Sequence, residues 1–199
     1  MNANVMNANW TTPSPRTGLK GLLDRFTGPG ATPAELIIQF VPPFIAALTA
    51  PLYAIMAHLH WTPSQLVVAA VLALDLVGGI ITNATASAKR WYHRPGQGFW
   101  QHMSFISLHV LHVLLVVLLF RSEDRLFFVV VSAYLLSAAF LILQAPLYLQ
   151  RPIALGLYTL ALLGDRYLFA PTLGLEWFLP CFFLKVLVSH LLKEQPYRP

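Results

Sequence analysis

The sequence predicts an all-α, polytopic membrane helix bundle of about six transmembrane helices, with both termini cytoplasmic. Three observations predict it. Of 199 residues, 57% are hydrophobic and only 11% charged, a balance outside that of soluble globular domains; a soluble chain of this length has too little interior to hide so much apolar surface. Apolar stretches of about 20 residues, enough to cross about 30 Å of hydrocarbon, recur along the chain. Lys and Arg gather at the ends of those stretches and not in basic runs interleaved with aromatics, which reads as topology and argues against nucleic acid as a partner.

Residues 1–30 form an N-terminal tail without the continuous apolar region of a cleavable signal peptide, so insertion is expected to rely on the first spanning helix. Within the tail, Gly21–Phe26 is either a short amphipathic turn on the cytoplasmic interface or part of an unstructured segment. The transmembrane domain, 31–193, contains spans at 34–57, 66–88, 99–120, 126–149, 152–170 and 175–192, followed by a tail at 194–199. Span one is interrupted by Pro42, Pro43 and Pro51, span four by Pro146 and span six by Pro180, each favouring a kink. Between spans two and three, Trp91–Trp100 packs aromatics, cations and Pro95-Gly96 into an interfacial hairpin. Span 152–170 is the weakest, because its apolar run stops at Gly164 and Asp165-Arg166 follows.

The basic residues orient the chain. With both ends inside, the inner side holds Arg16, Lys20, Arg25, Lys89, Arg90, Arg94, Arg151, Lys193 and Arg198, nine of the thirteen Lys and Arg. Arg121, Arg125 and Arg166 fall outside, and Lys185 lies within the last span. Five spans would weaken that asymmetry, so six are expected, in a bacterial inner membrane. A lone cysteine, Cys181, excludes an internal disulfide and any multi-cysteine metal or iron–sulfur centre.

Polar residues inside the spans carry the chemistry. In span two, Asp75, Gly79, Thr82 or Asn83, and Ala86 recur every three or four residues, placing a carboxylate at the head of a small and polar stripe. Span three carries His102, His109 and His112 on one face, at intervals of seven and three. The short hairpin makes the two helices antiparallel neighbours, and counting inward from their cytoplasmic ends puts Asp75 level with His112 and near His109, with Asn83 near His102. A rise of about 1.5 Å per residue separates His102 from His109 by about 10.5 Å, too far for one mononuclear metal. Two layers result. The mid-membrane layer is Asp75, His109 and His112, joined by Lys185 from the last span. The cytoplasmic-side layer is Thr82, Asn83, Ser87, His102 and His190.

Several uses of this constellation stand open. Asp75 paired with Lys185 or a histidine can simply fix helix packing, and Gly78-Gly79 can simply let helices approach closely. As an enzyme centre, Asp75, His109, His112 and Lys185 supply acid–base capacity toward a lipid or small-molecule substrate between spans two, three and six. Asp75, His109 and His112 are also candidate ligands for a transition metal with an open coordination position. For haem, His102 and His190 are the candidate axial pair, with Arg90 and Arg94 available to propionates and Asn83 beside them. A small proton-coupled carrier would use the same ionisable residues as a relay, and a structural accessory subunit of a membrane complex is a further reading. The histidine clusters HxxxH and HxxHH of membrane hydrolases and desaturases are absent; His109 and His112 form only HxxH.

Overall fold

The computed structural model describes residues 11–194, so Arg198 and most of the expected C-terminal tail lie outside the described residues. The described chain is all-helical, with no strand among the described residues. Its elements are α1 (Gly18–Thr27), α2 (Pro33–Met56), α3 (Pro63–Ala84), α4 (Ala86–Tyr92), α5 (Phe99–Leu108), α6 (Val110–Phe120), α7 (Arg125–Gln144), α8 (Leu147–Leu168) and α9 (Phe178–Phe183), the last continuing as a π-helix over Leu184–His190. Four helices are long and apolar enough to cross a membrane: Pro33–Met56, Pro63–Ala84, Phe99–Phe120 taken as one rod, and Arg125–Gln144. Helix α8 spans 22 residues but carries Arg151, Asp165 and Arg166, and the apolar Phe178–His190 is shorter.

Local chemistry sets the boundaries. Helices α2 and α3 both open on a Thr-Pro-x-Glu/Gln capping box. Thr32 Oγ1 accepts from the Glu35 N–H (3.2 Å) while Glu35 accepts from the Thr32 N–H (2.8 Å), and Thr62 and Gln65 repeat the arrangement (3.3 and 2.7 Å). These boxes start the helices at residues 33 and 63, ahead of the expected 34 and 66. Span two does not run unbroken to 88: Thr85 adopts an extended conformation (φ −71°, ψ 150°), its hydroxyl donating to the Thr82 carbonyl (2.7 Å) and accepting from the Ala88 N–H (3.4 Å). That local bonding offers the backbone an alternative to the helical ladder, so α3 ends and α4 begins there. Likewise α7 stops at Gln144 and not 149, because Ala145 precedes Pro146 and is held extended (φ −71°, ψ 144°). Helix α8 consequently begins at Leu147, five residues before the expected 152.

The shortest apolar element occupies the centre. Phe182, Phe183, Val186, Leu187 and Leu191 are all at most 2% exposed and pack against Leu72 and Leu76 of α3, Ile106 of α5, Val113 of α6 and Leu135 and Ile142 of α7. Burial all round marks this last segment as a core helix. Outward, Phe44, Leu48, Leu111, Leu118, Val129 and Leu160 are exposed, as expected where the surrounding solvent is lipid.

Contacts define two ends of the bundle. At one, Lys89 Nζ donates to the carbonyls of Ser189 and Leu192 (2.6 Å each), and Arg151 pairs with Glu194 (2.7 Å). Helix α1 docks at this end too: the hydroxyls of Ser87 and Tyr92 donate to the carbonyls of Thr27 (2.9 Å) and Phe26 (2.9 Å), and Gly28 (φ +86°) lies so close to the Ser87 backbone that a Cβ would stand 2.2 Å from its carbonyl carbon. Leu19, Leu22, Leu23 and Phe26, spaced along one face of α1, are left exposed. At the other end, Gln65 donates to the Leu119 carbonyl (2.6 Å) and Arg121 to the Ala170 carbonyl (2.9 Å) and Thr172 hydroxyl (2.7 Å).

Candidate functional site

Asp75, His109 and Lys185 lie within about two residues of the midpoints of α3, the α5–α6 rod and Phe178–His190, respectively. They therefore meet at half depth. The carboxylate oxygen Oδ2 of Asp75 accepts from Lys185 Nζ (2.5 Å) and from His112 Nε2 (2.9 Å). Only 4% of the Lys185 side chain is exposed, against 41% of the Asp75 side chain; the ammonium is enclosed while the carboxylate keeps an open side. Lysine reaches this position because α3 has no side chain at Gly79, where an added Cβ would stand 2.3, 2.7 and 2.9 Å from Cε, Cδ and Cγ of Lys185. The room at Gly79 is thus filled by the lysine stem. A Cβ added at Gly78 would meet only Pro43, at 3.4 Å.

Two backbone irregularities shape the centre, and neither contains proline. At His109 the α5–α6 rod tightens: the His109 N–H bonds to Ile106 and the His112 N–H to His109, both at 3.0 Å and three residues back. A mid-helix turn of this kind is common at functional hinges. In the last segment the switch to π-winding begins at Leu184, one residue before Lys185, and runs to His190. In an α-helix residues five apart diverge by about 140°; i→i+5 winding brings them toward one face, so Lys185 and His190 both turn toward α3.

The imidazole tautomers follow from their partners. His109 Nδ1–H donates to the Phe105 carbonyl (2.8 Å), which makes Nε2 the lone-pair nitrogen, and that atom is buried without a hydrogen-bond partner. His112 Nε2–H donates to Asp75, leaving Nδ1 buried and unpartnered in turn. One nitrogen from each histidine and one Asp75 oxygen lie within 4.8 Å of one another, so the trio can present three metal-ligand groups. The backbone bond at His109 Nδ1 resembles the outer contact that orients metal-binding histidines. Against immediate chelation, the two rings are stacked and nearly parallel (8°, centroids 4.9 Å apart), so their lone pairs lie in separate planes, and the Lys185 ammonium already sits on the carboxylate.

A second polar layer lies toward the α1 end. His190 hydrogen-bonds through Nδ1 to Asn83 Oδ1 (3.3 Å) and through Nε2 to His102 Nδ1 (3.2 Å). His93, from the Trp91–Trp100 hairpin, joins them: its Nε2–H donates to the His190 carbonyl (3.0 Å) and its ring lies 4.8 Å from His102. Burial, with the Lys89 charge next, lowers the His93 pKa to about 3. His102 and His190, the residues that would hold a haem iron, are hydrogen-bonded to each other. Arg94 stacks on Trp91 at 3.6 Å and donates to its carbonyl, and Arg90 is buried. Ser87, expected in this layer, faces Thr27 and Glu35 instead. The Phe105 ring lies between the layers, stacked on His190 (3.9 Å) and tilted against His109 (4.5 Å).

Fold and site together define a class: a multi-helix protein with apolar helices of membrane-spanning length and a His/Asp group brought together between them. Comparisons with family models, curated proteins and solved structures found no match.

Proposed function

We propose that the protein is a six-span bacterial inner-membrane enzyme, with both termini cytoplasmic, that performs acid–base chemistry on a lipid-borne or small-molecule substrate at mid-membrane. The observation that carries this reading is the Asp75 carboxylate, held by Lys185 and His112 on one side and open on the other, beside a histidine nitrogen buried without a partner. Ionisable groups at this depth are costly in a bilayer, and they are functional by default. His109 Nε2 is the proton acceptor, positioned by the Phe105 carbonyl. Lys185 supplies the counter-charge to Asp75, and His112 orients the carboxylate and exchanges protons with it. In this topology α8 and the central Phe178–His190 segment complete six passes. The contacts of α1, Lys89 and Arg151 at one end of the bundle support it, and the exposed apolar face of α1 suits the membrane interface.

The test is reconstitution in nanodiscs made from a total lipid extract, followed by mass spectrometry of the lipids. Wild type should convert at least one species, and Asp75→Asn or His109→Gln should lower the rate by about 10²-fold or more. Unchanged lipids, together with proton-linked flux in liposomes that Asp75→Asn abolishes, would overturn the enzyme in favour of a proton-coupled carrier. The second imidazole layer, lying between the centre and the α1 end, favours that second reading. Metal analysis of protein purified without chelator decides whether Asp75, His109 and His112 also hold an ion: acid–base action by the side chains alone predicts no stoichiometric metal.

A further inference from the structure

A cavity of about 610 Å³ opens at the α1 end of the bundle, away from the Asp75 centre, between the α3–α4 joint, the first turns of α8 and the end of the last segment. Three cations line it, Lys89, Arg151 and Lys193, against one carboxylate, Glu194. Lys89 is 3% exposed and is held in place: two of its three ammonium hydrogens go to the carbonyls of Ser189 and Leu192, and a lysine ammonium has a third to give. Arg151 spends part of its guanidinium on Glu194, one nitrogen at 2.7 Å, and a guanidinium fork carries five N–H donors. The wall between these cations is apolar, made by Leu147, Pro152 and Leu192, and Leu147 and Tyr148 at the rim are 62% and 79% exposed. The cavity thus presents one buried and two exposed cations beside the exposed apolar side chains of Leu147 and Tyr148. A carboxylate-bearing ligand would meet the same cations, but three cations around one space match a group with three or more acceptor oxygens, and arginine and lysine together are the usual partners of phosphate.

We propose that this cavity binds a phosphate group, either the headgroup of an anionic phospholipid whose chains leave along Leu147 and Tyr148, or a soluble phosphorylated compound. Lys89 is the fixed cation, Arg151 and Lys193 close over the phosphate, and Glu194 competes with it for Arg151.

Native mass spectrometry of the full chain released from nanodiscs containing phosphatidylcholine and phosphatidylglycerol tests the lipid source; isothermal titration of detergent-solubilised protein with glycerol 3-phosphate and with inorganic phosphate tests the soluble source. Wild type should retain phosphatidylglycerol in preference to phosphatidylcholine, or bind one of the two soluble probes. Arg151→Gln combined with Lys193→Gln, both exposed positions, should weaken whichever ligand binds by about tenfold with an unchanged melting temperature. Glu194→Gln should strengthen it, a sign that a merely structural role for these residues does not produce. Equal retention of the two lipids with no response to either soluble probe overturns the proposal, as does binding unchanged in both the double variant and Glu194→Gln.

Discussion

A single absent side chain decides how the central ion pair forms. Three stem carbons of Lys185 lie inside the volume that a Cβ on Gly79 would occupy, so Gly79→Ala must push the lysine off Asp75 or spread α3 from the last segment. Overpacking of this kind costs about 1–3 kcal/mol. Gly78→Ala, which meets Pro43 only at ordinary contact distance, should be close to neutral, and denaturation of the two variants in matched detergent makes the comparison. Removing the ammonium itself is a stronger perturbation. Lys185→Met leaves Asp75 with His112 alone at mid-bundle; deleting one partner of a fully buried pair costs about 3–5 kcal/mol, and the loss here should fall below that because 41% of the Asp75 side chain is exposed. The double variant Asp75→Asn with Lys185→Met should lose distinctly less than the sum of the two single losses, and a double-mutant cycle measures that coupling. Additive losses would mean that the two side chains do not act on each other.

At the scale of elements, the joints matter as much as the helices. Thr85, His109 and Ala145-Pro146 each interrupt what composition alone presents as continuous apolar rods. The Thr85 joint lets α4 turn aside, so that Ser87 and Tyr92 reach α1. Helix α1 carries its own clasp: Arg16 binds Asp24 through its backbone N–H (2.8 Å), Nε (2.9 Å) and a terminal nitrogen (2.6 Å). The hydrogen bonds from the guanidinium hold the Asp24 carboxyl down to about 2. A carboxylate whose folded pKa is depressed contributes stability that is present above its unfolded value and is lost as pH falls toward the folded one. Helix α1 should therefore be protected from hydrogen exchange at pH 5 to 7 and lose protection progressively from about pH 4 to pH 2, while Asp24→Asn should show the low-pH pattern throughout. Protection independent of pH in wild type would remove the clasp from the account.

For the whole molecule, the proposed six-span threading makes a sidedness prediction. In a Cys181→Ser background, Gln97→Cys should react with an impermeant maleimide from the same side as a cysteine placed at Glu194, and Ser122→Cys only from the other side. Gln97 and Ser122 lie at opposite ends of the Phe99–Phe120 rod, so labelling of both from one side would show that the rod does not cross. Labelling of Glu194→Cys from the Ser122 side would instead give an odd number of passes and return the count to five.

Composition was enough to determine that the chain is helical and apolar enough for a bilayer, because that conclusion depends on how many residues are apolar and how they are spaced. Depth was legible too: counting along antiparallel helices puts Asp75 level with His112, since rise per residue is nearly constant. What the sequence did not reveal depends on rotation and on neighbours distant in the chain. Nothing near residue 184 announces π-winding, which turns Lys185 and His190 toward one face, and no proline marks the tightening at His109. His93 and Lys89 read as interfacial and topological residues until His190, Ser189 and Leu192, about 100 residues away, arrive beside them. The capping boxes at Thr32 and Thr62 are local, Thr-Pro-x-Glu and Thr-Pro-x-Gln, yet the apolar runs that mark the spans begin after them, so the expected starts at 34 and 66 fell late. The central ion pair was legible as Asp75 with Lys185 or a histidine, and the structure has both partners on one oxygen; the route of the lysine was not legible, because its stem passes only where a glycine on another helix leaves room.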